Sequence, residues 1–263
     1  MANEKPRALV TGASAGIGET FARRLRRDGY ELILVARRRE RLEQLAQEIG
    51  GAEVIVADLG DEGDVHRVAD RIASEPRLEL LVNNAGFGVM GLFSDSALQG
   101  QEQMHRLHVL TTLVLTHAAL RGMMARNKGA VINVSSVAGF ALTPGSVSYG
   151  ATKAWMNAFT EGLYMELKGA GSAVKVQALC PGFTVSEFHD VAHVDRKAIP
   201  DRLWMRAEDV VDASLEGLAR GKLFVVPGGI YKALVFVVQS IPRRLYRAGS
   251  LQFAKATKRT TAR

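Results

Sequence analysis

Cysteine is almost missing from this chain, since Cys180 is the only one among 263 residues. A lone thiol closes no internal bridge, so a disulfide scaffold is excluded, and a small buried hydrophobe is the ordinary role for such a residue. Proline is scarce, at 7 residues, and with 47% hydrophobic and 23% charged side chains the composition excludes disorder and collagen. No uninterrupted apolar run reaches the ~18 residues of a membrane span. The polar start, Met1 to Arg7, lacks a cationic leader with an apolar core, which gives the expectation of a cytoplasmic protein. Acidic residues are missing beyond Glu216, where ten cations follow, so the net charge of +7 belongs to the tail and the first 216 residues are net negative. That main body offers nucleic acid no basic patch, and none is expected as a partner.

What is present is an alternation. Apolar runs at Arg7–Thr11, Glu31–Ala36, Glu53–Ala57, Leu78–Val82, Ala130–Val134, Val174–Leu179 and Leu223–Val226 read as strands. Helical patterns fill the gaps at Gly16–Asp28, Glu40–Ile49, Asp61–Ser74, Ser96–Arg126, Tyr149–Lys168 and Glu208–Ala219. Strand and helix in regular turn imply right-handed crossovers and an α/β fold, a Rossmann-type doubly wound parallel sheet with helices on both faces. Runs such as Leu32-Ile33-Leu34-Val35 suit strands buried on both sides. No repeat or internal linker is visible, so residues 1–263 are read as one domain.

Ligands of such sheets bind at the carboxyl ends of the strands, and the unusual residues of this chain gather there. Thr11-Gly12-Ala13-Ser14-Ala15-Gly16-Ile17-Gly18 is a glycine-rich turn between the first strand and a helix. Such a turn lets backbone N–H groups and a helix dipole face a pyrophosphate, with Gly12, Ser14, Gly16, Ile17 and Gly18 as the contact positions. Asp58 ends the third strand, where its carboxylate suits an adenine amino group, with a solvated turn residue as the lesser alternative. Asn83-Asn84-Ala85-Gly86 ends the fourth, and Asn84, Ala85 and Gly86 are expected beside the ligand. The second strand runs into Arg37-Arg38-Arg39, with no carboxylate for a ribose 2′-hydroxyl. Arg37 and Arg38, helped by Ser14, favour the 2′-phosphate, so the cofactor reading is NADP(H) rather than NAD(H).

Ser135-Ser136 ends the fifth strand, and Tyr149 and Lys153 follow one helical turn apart on a shared face. An ammonium beside a phenol favours phenolate and is expected to lower the pKa of Tyr149 toward working pH, as a general acid/base requires.

At these residues the sequence resembles the short-chain dehydrogenase/reductase family along nearly its whole length. The resemblance rests on Thr11-Gly12-x-x-x-Gly16-x-Gly18, Asn83-Asn84-Ala85-Gly86, Ser136, Tyr149-x-x-x-Lys153 and Pro181-Gly182. It implies an enzyme interconverting a carbonyl and an alcohol with NADP(H). Tyr149 would transfer the proton, Ser136 hold the substrate oxygen, and Lys153 bind the nicotinamide ribose and tune Tyr149. Pro181 and Gly182 would open the loop over the nicotinamide, with Thr184 or Ser186 bonding its carboxamide. A homodimer or homotetramer paired through the two long helices is implied too. One departure stands out. Where many members carry a relay asparagine, this chain places His108, which either serves the relay or sits as an ordinary satisfied helix residue. His189 and His193 lack a carboxylate-rich neighbourhood, and no metal is assigned. The rival reading is a non-catalytic NADP-binding sensor.

Substrate choice should lie in 184–206 and in the tail. Leu234-Val-Phe-Val-Val238 is followed by Pro242, Arg243, Arg244, Arg247, Lys255, Lys258 and Arg259. Residues 230–263 either close the substrate pocket or pack on another subunit, or they touch an anionic membrane surface peripherally without crossing it. An apolar or lipid-like substrate agrees with that tail.

Overall fold

The computed structural model describes residues 4–187 and 199–261. Its strands are β1 (Arg7–Thr11), β2 (Glu31–Ala36), β3 (Glu53–Val56), β4 (Leu78–Asn83), β5 (Ala130–Val134), β6 (Lys175–Leu179) and β7 (Phe224–Val225). All pair in parallel, in the order β3-β2-β1-β4-β5-β6-β7. Strand order reverses between β1 and β4, and that switch point leaves a crevice at their carboxyl ends.

The continuous apolar strands follow from this layering. Ala8, Val10, Leu32 and Leu34 point to one face and pack with Phe21 and Leu25 of α1 (Gly16–Arg27), Leu42 of α2 (Arg39–Glu48) and Val210 of α7 (Ala207–Ala219). Leu9, Ile33 and Val35 point to the other and meet Val68 and Ile72 of α3 (Glu62–Ala73), Leu115 of α5 (Thr112–Arg126) and Leu167 of α6 (Val147–Gly169). Each fully buried aliphatic side chain contributes roughly 1.5–3 kcal/mol, so the alternation of two apolar faces fixes strand register.

The amino ends of the strands are closed by ions. Arg7 reaches Glu31 at 3.2 Å, Glu53 at 3.1 Å and Glu75 at 2.8 Å, and Arg71 reaches Glu53 at 2.7 Å and Glu75 at 2.8 Å. The Arg71 guanidinium and the other hydrogen bonds hold the Glu53 and Glu75 carboxyls below the ordinary carboxylate range in spite of burial.

Two elements depart from the sequence reading. The helix expected over Ser96–Arg126 starts as α4 (Leu98–His105), widens into a π-helical turn at Arg106–Thr111, and continues as α5. The wider turn puts both His108 and Thr111 inside, where Thr111 donates to the Leu59 carbonyl at 2.7 Å. The tail forms α8 (Gly229–Ser240) and α9 (Arg243–Thr261), separated at Pro242. No described helix is long and apolar enough to cross a membrane.

Candidate active site

A cavity of about 860 Å³ opens at the switch point. Its nucleotide-sized half begins at the glycine-rich turn. Gly12 (φ +64°) and Gly16 (φ +55°) take left-handed backbone that other residues resist, and a Cβ on Gly18 would lie 2.3 Å from the Gly12 carbonyl oxygen. The turn is tied to β4 by two side chains. Thr11 Oγ1 donates to the Val82 carbonyl and accepts the N–H groups of Asn84 (2.9 Å) and Ala85 (3.0 Å). Asn84 Nδ2 returns the contact to the carbonyls of Thr11 (2.9 Å) and Gly12 (3.3 Å). Asn83 stays buried, bonding Thr116 and Asn133. Ser14, Ile17, Ala85 and Gly86 line the same half.

At the far end, Arg37 lines the cavity, is exposed, and has no hydrogen bond or ion pair among the described residues. Arg38 donates to Ser14 Oγ from Nε (3.1 Å) and pairs through Nη1 with Glu187 (2.7 Å). Arg41 reaches the other Glu187 oxygen at 2.6 Å. Asp58 also lines the cavity, and its carboxylate accepts the Gly60 N–H at 2.9 Å.

Ser136, Tyr149 and Lys153 meet in the cavity wall between the end of β5 and the start of α6. Ser136 Oγ accepts the Ala138 N–H at 3.1 Å and lies 3.5 Å from the Pro181 carbonyl. Lys153 Nζ donates to the Val134 carbonyl at 2.8 Å and lies 5.7 Å from the Tyr149 ring centre. Burial decides the protonation states here. It pushes the Lys153 ammonium down to about 8. It pushes the Tyr149 phenol up to about 12, and the hydrogen bond with Ser136 opposes this only in part. The expected lowering of Tyr149 by Lys153 is therefore not what the protein alone shows, because desolvation of the phenolate dominates and only the Ser136 hydrogen bond opposes it. The phenol therefore holds its proton at neutral pH, and burial makes it a weaker acid than free tyrosine.

His108 is wholly buried and is not among the residues lining the cavity. Its ring meets Tyr149 edge-on with centroids 5.9 Å apart, and Nδ1 lies 2.9 Å from Thr152 Oγ1. Thr152 Oγ1 also donates to the Tyr149 carbonyl at 2.9 Å, and both contacts are satisfied together when Nδ1 carries the imidazole proton. Nε2 is left without a partner among the described residues, against Gly86, where a Cβ would approach it to 2.7 Å. Burial first, then the charges of Lys153 and His105, hold His108 well below 6.5. It is a neutral ring behind the wall.

The other half of the cavity is walled by Phe87, Met90, Leu107, Ala141, Pro144 and Phe183, with Gln103, Thr143 and Ser146 as polar exceptions. A family model described as short chain dehydrogenase matches residues 6–196. The chain belongs to that family. Sulfoacetaldehyde reductase 2 of Chromohalobacter salexigens is 36% identical over 215 residues, 78% of this chain and 84% of that protein. A short-chain dehydrogenase from Sphingobium yanoikuyae, solved in complex with NADPH, is 34% identical over 90% of this chain and 97% of its own, with a TM-score of 0.80. One from Burkholderia phymatum, solved in complex with NAD, is 25% identical over 89% of this chain and 93% of its own, with a TM-score of 0.77.

The chain is thus an oxidoreductase of this family with a nicotinamide cofactor, and its glycine cradle fits one: added Cβ atoms would crowd Asn84 at Gly12 and Ser186 at Gly16, each at 2.8 Å. In this short-chain dehydrogenase Pro181 and Gly182 lie in the cavity wall, where Thr184 Oγ1 donates to the Gly182 carbonyl (3.1 Å) and Ser186 Oγ to that of Thr184 (3.3 Å). Cys180 is a buried thiol, pushed up to about 12 by desolvation. His189 and His193 fall outside the described residues, among which no cluster able to hold a metal occurs.

Sequence reasoning missed three participants. Arg41 and Glu187 find each other across 146 positions, and Thr152 matters only because a π turn brings His108 to it. Arg38 and Ser14 carried a usable signal, the glycine-rich turn lying next to a strand end rich in arginine.

Proposed function

We propose that this chain is an NADP(H)-dependent oxidoreductase that interconverts a ketone or aldehyde with an alcohol on an uncharged, apolar substrate. The observation that carries the reading is the convergence of Ser136, Tyr149 and Lys153 in the wall between the polar and apolar halves of one cavity. Ser136 holds the substrate oxygen and Tyr149, kept protonated by its burial, donates to it as negative charge develops. Lys153 contributes its ammonium to the ribose and to the field around Tyr149. The bound nicotinamide supplies or accepts hydride. Gly12, Ser14, Gly16, Ile17 and Gly18 would hold the pyrophosphate side, Asp58, Asn84, Ala85 and Gly86 the adenosine and ribose side, and Pro181, Gly182, Thr184 and Ser186 the nicotinamide side.

Arg37 supports NADP(H): an exposed cation in the cavity wall without a described partner is ready for a phosphate, and Arg38 is already fixed on Ser14. His108 acts as a neutral support behind Tyr149 rather than as a titrating relay. Among the described residues of the apolar half no side chain is charged, which supports an uncharged substrate over an anionic one. Residues 1–263 form one domain, and a homodimer or homotetramer would cover Leu110, Leu113 and Met165, all exposed on the long helices.

The last element of the reading is peripheral membrane contact. Ile230, Leu234 and Val237 form an exposed stripe along one face of α8, and Arg243, Arg244 and Arg247 follow it with no acid nearby in sequence. Binding to anionic but not neutral vesicles, weakening with salt, is the expected result; equal indifference to both would remove this element. The activity is tested by following NADPH and NADH oxidation with decanal, acetophenone and a 3-ketosteroid, and reduction of the oxidised cofactors with the matching alcohols. Turnover with preference for the phosphorylated cofactor is expected; tight NADPH binding without turnover of any of them would instead favour a sensor.

A further inference from the structure

Gly182 has no unusual backbone angle to explain why it is glycine. The reason lies 49 positions away, because a Cβ there would fall 2.1–2.3 Å from three ring atoms of Tyr231. Tyr231 stands in the first turn of α8, entered through Gly228 at φ +79°, and is 5% exposed. Its ring lies under the Pro181–Gly182 floor of the cavity. Its hydroxyl donates to the Leu203 carbonyl at 2.6 Å and accepts the Phe183 N–H at 3.1 Å. Burial raises the phenol above its ordinary pKa, so this donor is permanent.

Phe183 and Leu203 flank the points where the chain leaves the cavity floor and comes back to it. The two ends are laced together: Val185 N–H donates to the Met205 carbonyl and Met205 N–H to that of Phe183, both at 2.9 Å, and the Phe183 and Trp204 rings lie 5.7 Å apart. Phe183 is also part of the apolar wall. One side chain of α8 therefore touches the floor, the outgoing end and the returning end.

We propose that Tyr231 is a positioning residue for the reaction, fixing the height of the Pro181–Gly182 floor and the spacing of the two ends of the substrate segment, and so governing capture of substrate rather than the chemical step. As a statement about catalysis this rests on the oxidoreductase reading. It also gives the C-terminal region a task inside the active site, distinct from any surface that α8 presents outward.

The test uses the full-length chain with Tyr231→Phe, which keeps the ring and removes both hydrogen bonds. Amide hydrogen exchange at 183–185 and 203–205 should accelerate about tenfold, the loss of one to two hydrogen bonds, while amides of α8 stay as in the parent and the thermal midpoint falls by only about 2–5 °C. With whichever of decanal, acetophenone or a 3-ketosteroid the parent reduces best, KM should rise about tenfold and kcat change less than about twofold. Unchanged exchange at both ends, or acceleration spread equally over α8, would reduce Tyr231 to a packing residue and overturn the proposal. Should Tyr231→Phe fold poorly, Gly182→Ala supplies the second route: it should raise KM by displacing the ring, and adding Tyr231→Leu should restore part of the loss. Failure of that rescue counts against the tether. If the parent reduces none of the three probes, the oxidoreductase reading is in question while the exchange result still decides whether Tyr231 holds the two ends.

Discussion

The two ends of the sheet are built from the same kinds of residue and treat them in opposite ways. At the amino ends of the strands, Arg7 and Arg71 are fully engaged with Glu31, Glu53 and Glu75, each charge meeting its opposite. At the carboxyl ends, Arg37 and His108 Nε2 have no partner among the described residues, Lys153 rests on a carbonyl, and Tyr149 is pushed away from ionisation. Satisfied charges close the bottom of the fold. At the cavity end Arg38 and Arg41 meet Glu187, while Arg37 and Lys153 have no described carboxylate partner, the pattern of a ligand-binding face.

The comparison breaks most visibly at Tyr149. Tyr149→Phe should lower turnover by roughly 10²–10⁴-fold, the usual worth of a general acid, with cofactor affinity and thermal midpoint almost unchanged. A variant with near-parental turnover would mean that the phenol is not the proton donor. The opposite pattern is expected at the other end. Arg71→Ala leaves Glu53 with Arg7 alone and the nearly buried Glu75 with Arg7 and Arg77, and should cost about 2 kcal/mol of stability, read by urea unfolding, while kcat of the folded enzyme is kept. A large loss of kcat with unchanged stability would make the division between the two ends wrong.

Smaller changes sharpen the contrast. Arg37→Asp should weaken NADPH about 10–100-fold relative to NADH, the worth of one charged hydrogen bond to phosphate, measured by fluorescence titration of both cofactors. An unaltered ratio would move phosphate recognition to Arg38 and Arg41. The pH profile gives the finest test. Lys153 titrates at about 8 because burial disfavours its charge, so the ammonium is present below that pH and lost above it, whereas Tyr149 stays protonated throughout. Reductive kcat/KM should be level below about pH 8 and fall about tenfold per unit above it; a level profile to about pH 10 would show that the Lys153 charge is not needed.

Much of this was legible in the sequence because the information is local. Each strand announces itself by a doubly apolar run, and the glycine-rich turn, Asn84 and the Tyr149–Lys153 spacing are read within a few residues. What stayed hidden joins distant segments. Glu75 and Arg7 lie 68 positions apart, Glu187 and Arg41 146, and Tyr231 and Phe183 48, with nothing in either member of a pair to name the other. The pKa of Tyr149 was misjudged for a related reason: spacing shows that Lys153 is near, but only the fold shows how completely the phenol is desolvated. The π turn that buries His108 beside Thr111 has no periodic signature at all.

The central claim is that the carboxyl end of this sheet transfers hydride between a nicotinamide and a carbonyl. It is tested most directly by offering NADPH deuterated at the transferable position to the enzyme with decanal, acetophenone or a 3-ketosteroid, and locating the label by mass spectrometry. One deuterium is expected on the carbinol carbon of the alcohol formed, with Tyr149→Phe losing nearly all of that product. Tight binding of the labelled cofactor with no deuterium in any alcohol would contradict it.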